Sequence, residues 1–199
     1  MLSSRYVQPK EKGRVFVLSA PAGTGKTTLA RRLVETFDAL VLIPTLTTRE
    51  PRAGEVSGKD YEFISTQEFK ERLSRQELVE HVELHGNLYG VSALSVNNAR
   101  HKGKHALLVI DTDGAAVVKK RYDSVLIFLK PPSMEVLSER LKGRATEDVE
   151  IRARRLARAR KELQDENIFD YSVVNDKFDD AFYVLSSIII AETHRVTDV

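Results

Sequence analysis

The amino-acid sequence predicts an α/β fold, a five-stranded parallel sheet flanked by helices. The first observation is a set of five apolar runs, at residues 15–18, 39–43, 106–110, 125–129 and 173–174. They are continuous rather than alternating, as strands covered on both faces are. The second is helical periodicity between and after them. It is clearest near the C-terminal end, where Phe178, Ala181, Phe182, Leu185, Ile188 and Ile189 fall at i, i+3, i+4, i+7, i+10 and i+11. Such a stripe lays one face of a helix on the sheet. The third is the order strand, glycine-rich turn, helix over residues 15–29. Buried strands alternating with amphipathic helices make a parallel sheet, whose ligands bind beyond the carboxyl ends of its strands.

In chain order, residues 1–13 contain Ser3, Ser4, Pro9, Lys10, Glu11, Lys12 and Gly13 but no apolar h-region, so they read as a mobile tail and not as a signal peptide. The first strand leads through residues 19–25 into a helix carrying Leu29, Leu33, Val34 and Phe37 at helical spacing. The second strand is closed by Pro44. Residues 45–65 are polar, are broken by Pro51, Gly54 and Gly58, and show no helical period. Ser65 with Glu68 forms a capping box ahead of a short helix bearing Phe69 and Leu73. Residues 79–84 alternate loosely, and Gly86, Asn87 and Gly90 supply turns. This middle region is therefore expected to be an insertion of short strands and one helix. The core resumes at 106–110, followed by Asp111, Thr112, Asp113 and Gly114. The strand at 125–129 ends at Pro131 and Pro132, and Ser133 is placed to cap a helix with Leu137 and Leu141 inward.

The turn after the first strand carries the chemistry. Residues 20–28 read Ala20, Pro21, Ala22, Gly23, Thr24, Gly25, Lys26, Thr27, Thr28. A strand, a small-residue turn and a helix opened by Gly-Lys-Thr form a P-loop. Unpaired N–H groups of the first helical turn can donate to phosphate oxygens. Gly23 and Gly25 let the backbone curl around the phosphate. Lys26 can reach the β- and γ-phosphates, and the Thr27 hydroxyl can ligate Mg²⁺. Ala20 stands where the strict pattern has glycine, and is the smallest replacement for it.

Composition excludes several classes. Thirty-one basic residues nearly balance twenty-nine acidic ones, and the net charge of +2 gives no reason to expect a nucleic-acid partner. The absence of cysteine excludes disulfides and thiolate metal sites and fits a cytoplasmic location. No apolar run approaches the roughly 18 residues of a membrane helix, so no membrane partner is expected. His81, His85, His101, His105 and His194 lack metal-ligand spacing with acidic partners and read as surface or packing residues. Residues 140–161 are rich in arginine. Arg152, Arg154, Arg158 and Arg160 lie among polar neighbours and are expected on a solvated helix face. Arg144, next to Gly143, sits at a hinge from which it could close over a triphosphate. Arg49 and Arg52, three apart and near Tyr61, suit a second phosphate group; salt bridging with Glu50 and Glu55 is the alternative.

From about residue 14 to 194 the chain resembles guanylate kinases. The most specific stretch is residues 47–61, Thr-Thr-Arg-Glu-Pro-Arg-Ala-Gly-Glu-Val-Ser-Gly-Lys-Asp-Tyr, followed in order by residues 86–90, 110–114, 140–144 and 174–176. The resemblance implies a core (14–44, 92–140 and 165–194), a GMP-binding region (45–91) and a small helical lid (141–164). It implies that Arg49, Arg52, Tyr61 and Tyr89 hold the GMP phosphate, that Glu80 accepts from guanine N1–H and the exocyclic amine, and that Thr45 faces guanine O6. Asp111 would contact the base or the metal region, Arg140, Arg144 and Arg155 would be lid and catalytic arginines, and Asn175 would contact adenine. Residues 20–28 would bind ATP, with Mg²⁺ as cofactor. Three positions depart from the pattern, of which Leu88, in place of a usual tyrosine, should matter little. Val91 stands where serine or threonine would meet the guanine, and Val109 where an acidic residue is common.

The reaction expected on these grounds is transfer of the γ-phosphate of ATP to GMP, with oligomeric state left open. Two other readings remain. One is a catalytically inactive protein-binding module of the same fold, which the intact Lys26 and Thr27 oppose. The other is a kinase of another phosphorylated acceptor, such as ribose 1,5-bisphosphate, which Glu80 and Tyr61 oppose.

Overall fold

The computed structural model describes residues 6–7, 12–84, 86–142 and 149–196. The chain runs β1 (Val15–Ser19), α1 (Lys26–Thr36), β2 (Leu40–Leu42), β3 (Thr45–Thr47), β4 (Tyr61–Phe63) and α2 (Thr66–Ser74). It continues through β5 (Leu78–Leu84), β6 (Asn87–Ser92), α3 (Ala93–His101), β7 (His105–Ile110), α4 (Thr112–Arg121) and β8 (Ser124–Lys130). It closes with α5 (Met134–Lys142), α6 (Val149–Gln164), β9 (Tyr171–Val174) and α7 (Phe178–His194).

The α/β fold expected from the sequence is present. Five parallel strands lie in the order β2–β7–β1–β8–β9. Successive side chains of a strand leave opposite faces, so the apolar runs of β1, β2, β7 and β8 feed two cores, while edge strand β9 feeds one, through Val173, and leaves Val174 exposed. Phe16, Leu18, Ile127 and Leu129 pack with Leu29, Leu33 and Phe37 from α1 and its end, and with Ala181, Leu185 and Ile189 of α7. Val15, Val17, Leu108 and Leu126 face the other way, onto Val96 of α3 and Ala115 and Val118 of α4. Phe178, counted in the α7 stripe from its spacing, instead lies exposed at the first position of that helix.

A second sheet, in the order β4–β3–β6–β5, is inserted between β2 and β7. Its small core is Leu46, Phe69 and Leu78, with Ile64, Leu73 and Leu88 against it. The Ser65 cap forms, its hydroxyl accepting from Glu68 N at 3.1 Å. The Glu68 carboxylate turns to Arg72 rather than back to the cap, so only half of the box closes. Val79 and Val91 of this sheet pack into the second core, and polar contacts add to the tie. Arg31 of α1 pairs with Asp60, and Arg121 at the end of α4 donates to Leu78 O at 2.7 Å.

Two expectations change. Within the leader, Val7 is only 2% exposed and packs into the first core, so a wholly unattached tail is not what the described part shows. Val91, expected beside a bound base, is 1% exposed and packs with Val79, Val96, Ile110 and Ala115. Its side chain belongs to the core beneath the second sheet. Val91→Ser is expected to lower stability by about 1–3 kcal/mol, because it puts a hydroxyl into an apolar cluster. Denaturant unfolding with an unchanged midpoint would place Val91 elsewhere.

Candidate functional site

The carboxyl ends of β1 and β7 are neighbours in register, Ser19 beside Ile110. The turn after β1 and the turn after β7 therefore open on one side of the sheet. In the first turn, Gly23 and Gly25 adopt φ of 87° and 92°, a region that favours glycine. Space forbids a side chain as firmly as conformation does. A Cβ on Gly25 would lie 2.7 Å from Asn175 Nδ2, and one on Gly23 2.9 Å from Leu141 Cδ2. Ala20 needs no such freedom, since Gln76 is the one non-glycine with positive φ among the described residues. The alanine is therefore compatible with the loop. Gly25 caps α1 without a side-chain oxygen, which leaves first-turn N–H groups to an incoming anion.

A cleft of about 410 Å³ lies in front of this turn. Its floor is the loop and the start of α1: Ala20, Pro21, Ala22, Gly23, Gly25, Lys26, Thr27 and Thr28. Its far wall, from the second sheet, brings Thr45, Arg52, Tyr61, Glu80 and Tyr89. Asp111 and Val109 come from the end of β7, and Arg155, Arg158 and Glu162 from α6. Val82 and Leu84 add apolar surface. The site thus collects residues from sequence positions 20 to 162 at the open edge between two sheets.

Several expected site residues sit at the edge of this cleft rather than in it. Thr24 is buried, and its carbonyl accepts from Asn175 Nδ2 at 2.7 Å. That amide, expected at adenine, is 6% exposed and braces the phosphate loop from behind. Arg140, expected among the lid and catalytic arginines, donates to the carbonyls of Asn175 and Asp176 at 2.9 and 3.2 Å and fastens the end of α5 to the loop after β9. Arg49 holds Glu55 through both carboxylate oxygens at 2.9 Å and lies over the Tyr61 ring, 5.2 Å from its centroid. The salt-bridge alternative therefore describes Arg49 in this state. Arg144 lies outside the described residues.

Arg158 departs furthest from its expected place. Its neighbours in the sequence suggest a solvated face, but it points into the cleft. Its Nη2 donates to Asp111 Oδ2 at 2.8 Å and its Nε to Glu162 Oε1 at 2.7 Å. The signal that distinguishes it is spacing: Arg155, Arg158 and Glu162 fall at i, i+3 and i+7, one face of α6, while Arg154 and Arg160 are exposed. Treating the arginine run as a whole conceals that face.

The electrostatics follow from burial. Lys26 Nζ donates to Ile110 O at 3.1 Å, and burial lowers its pKa against the pull of Glu162 and Asp111. A cation so placed gains from an arriving polyphosphate. Glu80 is only 5% exposed, and burial, with Asp111 nearby, pushes its pKa to about 8. Both carboxyls flank the start of α4. A Cβ on Gly114 would lie 3.0 Å from Glu80 Oε2 and 3.2 Å from Asp111 Oδ1. Two like charges there are costly, so Glu80 holds a proton at neutral pH while Asp111 caps α4 through Gly114 N at 2.9 Å. Among the described residues no three His, Cys, Asp or Glu side chains gather to hold a metal ion.

The guanylate kinase family profile matches residues 12–192. The chain belongs to the guanylate kinase family. A guanylate kinase of Protochlamydia amoebophila is 44% identical over 187 residues, covering 94% of this chain and 95% of that protein. One of Chlamydia pneumoniae is 48% identical over 183 residues, covering 92% and 89%. The crystal structure of guanylate kinase from Anaplasma phagocytophilum matches with a TM-score of 0.77 at 34% identity, over 95% of this chain and 90% of that one. The activity is accordingly that of a nucleoside monophosphate kinase, ATP-dependent phosphorylation of GMP. Among the described residues no helix is long and apolar enough to cross a membrane.

The raised Glu80 pKa has a stability consequence. Between pH 4.5, the ordinary carboxylate value, and about 8 the folded protein keeps a proton that the unfolded chain has lost. Folding stability from this group therefore falls as pH rises through that window. Glu80→Gln should match wild type near pH 4.5 and exceed it in Tm by several degrees at pH 8. A difference in Tm independent of pH would contradict the assignment.

Proposed function

We propose that the cleft divides between the two nucleotides as follows. ATP lies with its phosphates on residues 20–28, and GMP lies against the second sheet, which serves as an acceptor region at 45–91. Residues 141–164 act as a lid, and Arg155 and Arg144 meet the phosphates from it. The observation that carries this reading is the cleft itself, which sets a phosphate loop opposite a buried carboxyl, Glu80, and a phenol pair, Tyr61 and Tyr89.

Each role has a physical reason. The acceptor phosphate is already an anion at pH 7, so no general base is required, and catalysis is positioning plus charge neutralisation. Lys26 leaves the Ile110 carbonyl for the β- and γ-phosphates of ATP. Arg52 and the two tyrosines take the GMP phosphate, and Arg49 joins them with the donors that Glu55 leaves over. Glu80, ionised, accepts from guanine N1–H and N2–H; adenine offers neither donor, so AMP leaves the carboxylate unpaired at about 1–3 kcal/mol. Thr45 lines the cleft at the edge expected for O6. Val91 makes no base contact here, because its side chain is in the core.

The cofactor fits the donors present. Thr27 lines the cleft, and the described residues offer no acidic cluster, so Mg²⁺ would be held by the Thr27 hydroxyl, the ATP phosphates and water. When bound it would supply charge neutralisation for the phosphoryl group in transfer.

Lys26→Met is expected to reduce kcat at least a thousandfold at unchanged Tm, since its amine acts on phosphates and not on the core. Turnover within tenfold of wild type would remove Lys26 from the reaction.

Glu80 makes GMP binding depend on pH. A group with a pKa of about 8 must lose its proton to accept from guanine. GMP affinity measured by calorimetry should therefore rise with pH from 6 to 8, by up to roughly tenfold per unit, and level off above. The Glu80→Gln variant carries the titration of the phosphate alone and should show a much flatter profile. Equal slopes in the two proteins would take Glu80 out of base recognition.

A further inference from the structure

Arg158 belongs to none of the roles assigned above. It reaches from α6 into the cleft and links two carboxylates. Asp111 stands beside Glu80, at the base end. Glu162 and Asp111 both act electrostatically on Lys26, at the phosphate end. The guanidinium donates at 2.8 Å to Asp111 and 2.7 Å to Glu162. Both carboxylates are largely buried, with side chains 13% and 10% exposed, and Arg158 itself is 36% exposed.

The consequence for Asp111 is geometric. One of its oxygens is fixed by Gly114 N and the other by Arg158, so the carboxylate is held at two points. Each oxygen keeps a second lone pair for a ligand donor. Without Arg158, Asp111 Oδ2 would lose this partner and the carboxylate would be held only through Gly114 N, free to rotate about that contact. We propose that Arg158 is a positioning residue for the acceptor base, holding the Asp111 carboxylate beside Glu80 from the lid helix. The proposal rests on the placement of GMP given above. It assigns Arg158 to acceptor recognition, although the residue sits on the helix that carries Arg155, which is placed at the phosphates.

Steady-state kinetics on the full chain separate these possibilities. Arg158→Met should raise the KM for GMP about tenfold and leave the KM for ATP within twofold of wild type. Arg158→Lys, which restores the charge but not the two-armed geometry, should recover part of the loss. In an Asp111→Asn background the Arg158→Met change should add less than twofold to the GMP effect, because both act through one contact. The proposal is overturned by a GMP KM that does not move, by ATP and GMP KM values that rise together, or by multiplicative effects in the double variant. Because Arg158 is partly exposed, thermal unfolding of Arg158→Met serves as the folding control. Wild-type protein that fails to phosphorylate GMP would overturn the underlying placement instead, a result distinct from any of these.

Discussion

The turn between β1 and α1 is the constraint on which the rest of the site depends. Gly23 and Gly25 are held in the left-handed region, and neighbours fill the space where side chains would go. Those neighbours come from distant parts of the chain. Leu141 lies in the last turn of α5, and Asn175 follows β9 at the far edge of the sheet. The Asn175 amide reaches back to Thr24 O, and Arg140 fastens the same loop to α5. A phosphate-binding turn of backbone N–H groups works only if the backbone is already in place. Here the placement comes from packing behind the loop, and two residues expected in front of it, Arg140 and Asn175, are part of that packing.

The second constraint is charge. The cleft concentrates Lys26, Arg155 and Arg158 with Asp111, Glu162 and Glu80. Burial lowers the lysine pKa and raises that of Glu80, so desolvation pushes both groups towards their neutral forms in the ligand-free state. In the reading proposed above, each gains from its charge when a partner arrives, a polyphosphate for Lys26 and a guanine edge for Glu80. The apolar neighbours Val82, Leu84 and Val109 keep the dielectric low around these events, which strengthens each contact once it forms. The energetic logic is the same at both ends of the cleft: desolvation of an ionisable group stores specificity for a ligand of complementary charge.

Much of this was legible in the sequence. Four of the five core strands are continuous apolar runs because both faces are covered; the edge strand β9 buries Val173 and leaves Ser172 and Val174 exposed. The phosphate loop is written in glycines and small residues whose conformations the structure requires. Other features were hidden for physical reasons. Helices α3 and α4 follow strands almost without a loop, so their caps, Ser92 and Asp111, directly end β6 and follow β7, and α4 carries Gly114 in its first turn. A Cβ at Gly114 would crowd the Glu80 and Asp111 carboxyls, at 3.0 and 3.2 Å. Val91 reads as a lost polar contact in the sequence, yet its backbone position turns the side chain into the core. Arg158 was lost in a run of like charges, where only helix-face spacing distinguishes a residue in the cleft from one in solvent. Which of several arginines faces the ligand is decided by how a helix is rotated against its neighbours, and that is a property of packing.

The central claim is that this cleft accepts a guanine nucleotide and passes it the terminal phosphate of ATP. A coupled assay of ADP formation with GMP, AMP, UMP or no acceptor tests it most directly. The account predicts rapid ADP release with GMP, at least tenfold weaker activity with AMP and UMP at equal concentration, and little hydrolysis without an acceptor. Comparable rates with AMP or UMP, or ADP release that does not depend on any acceptor, would contradict it.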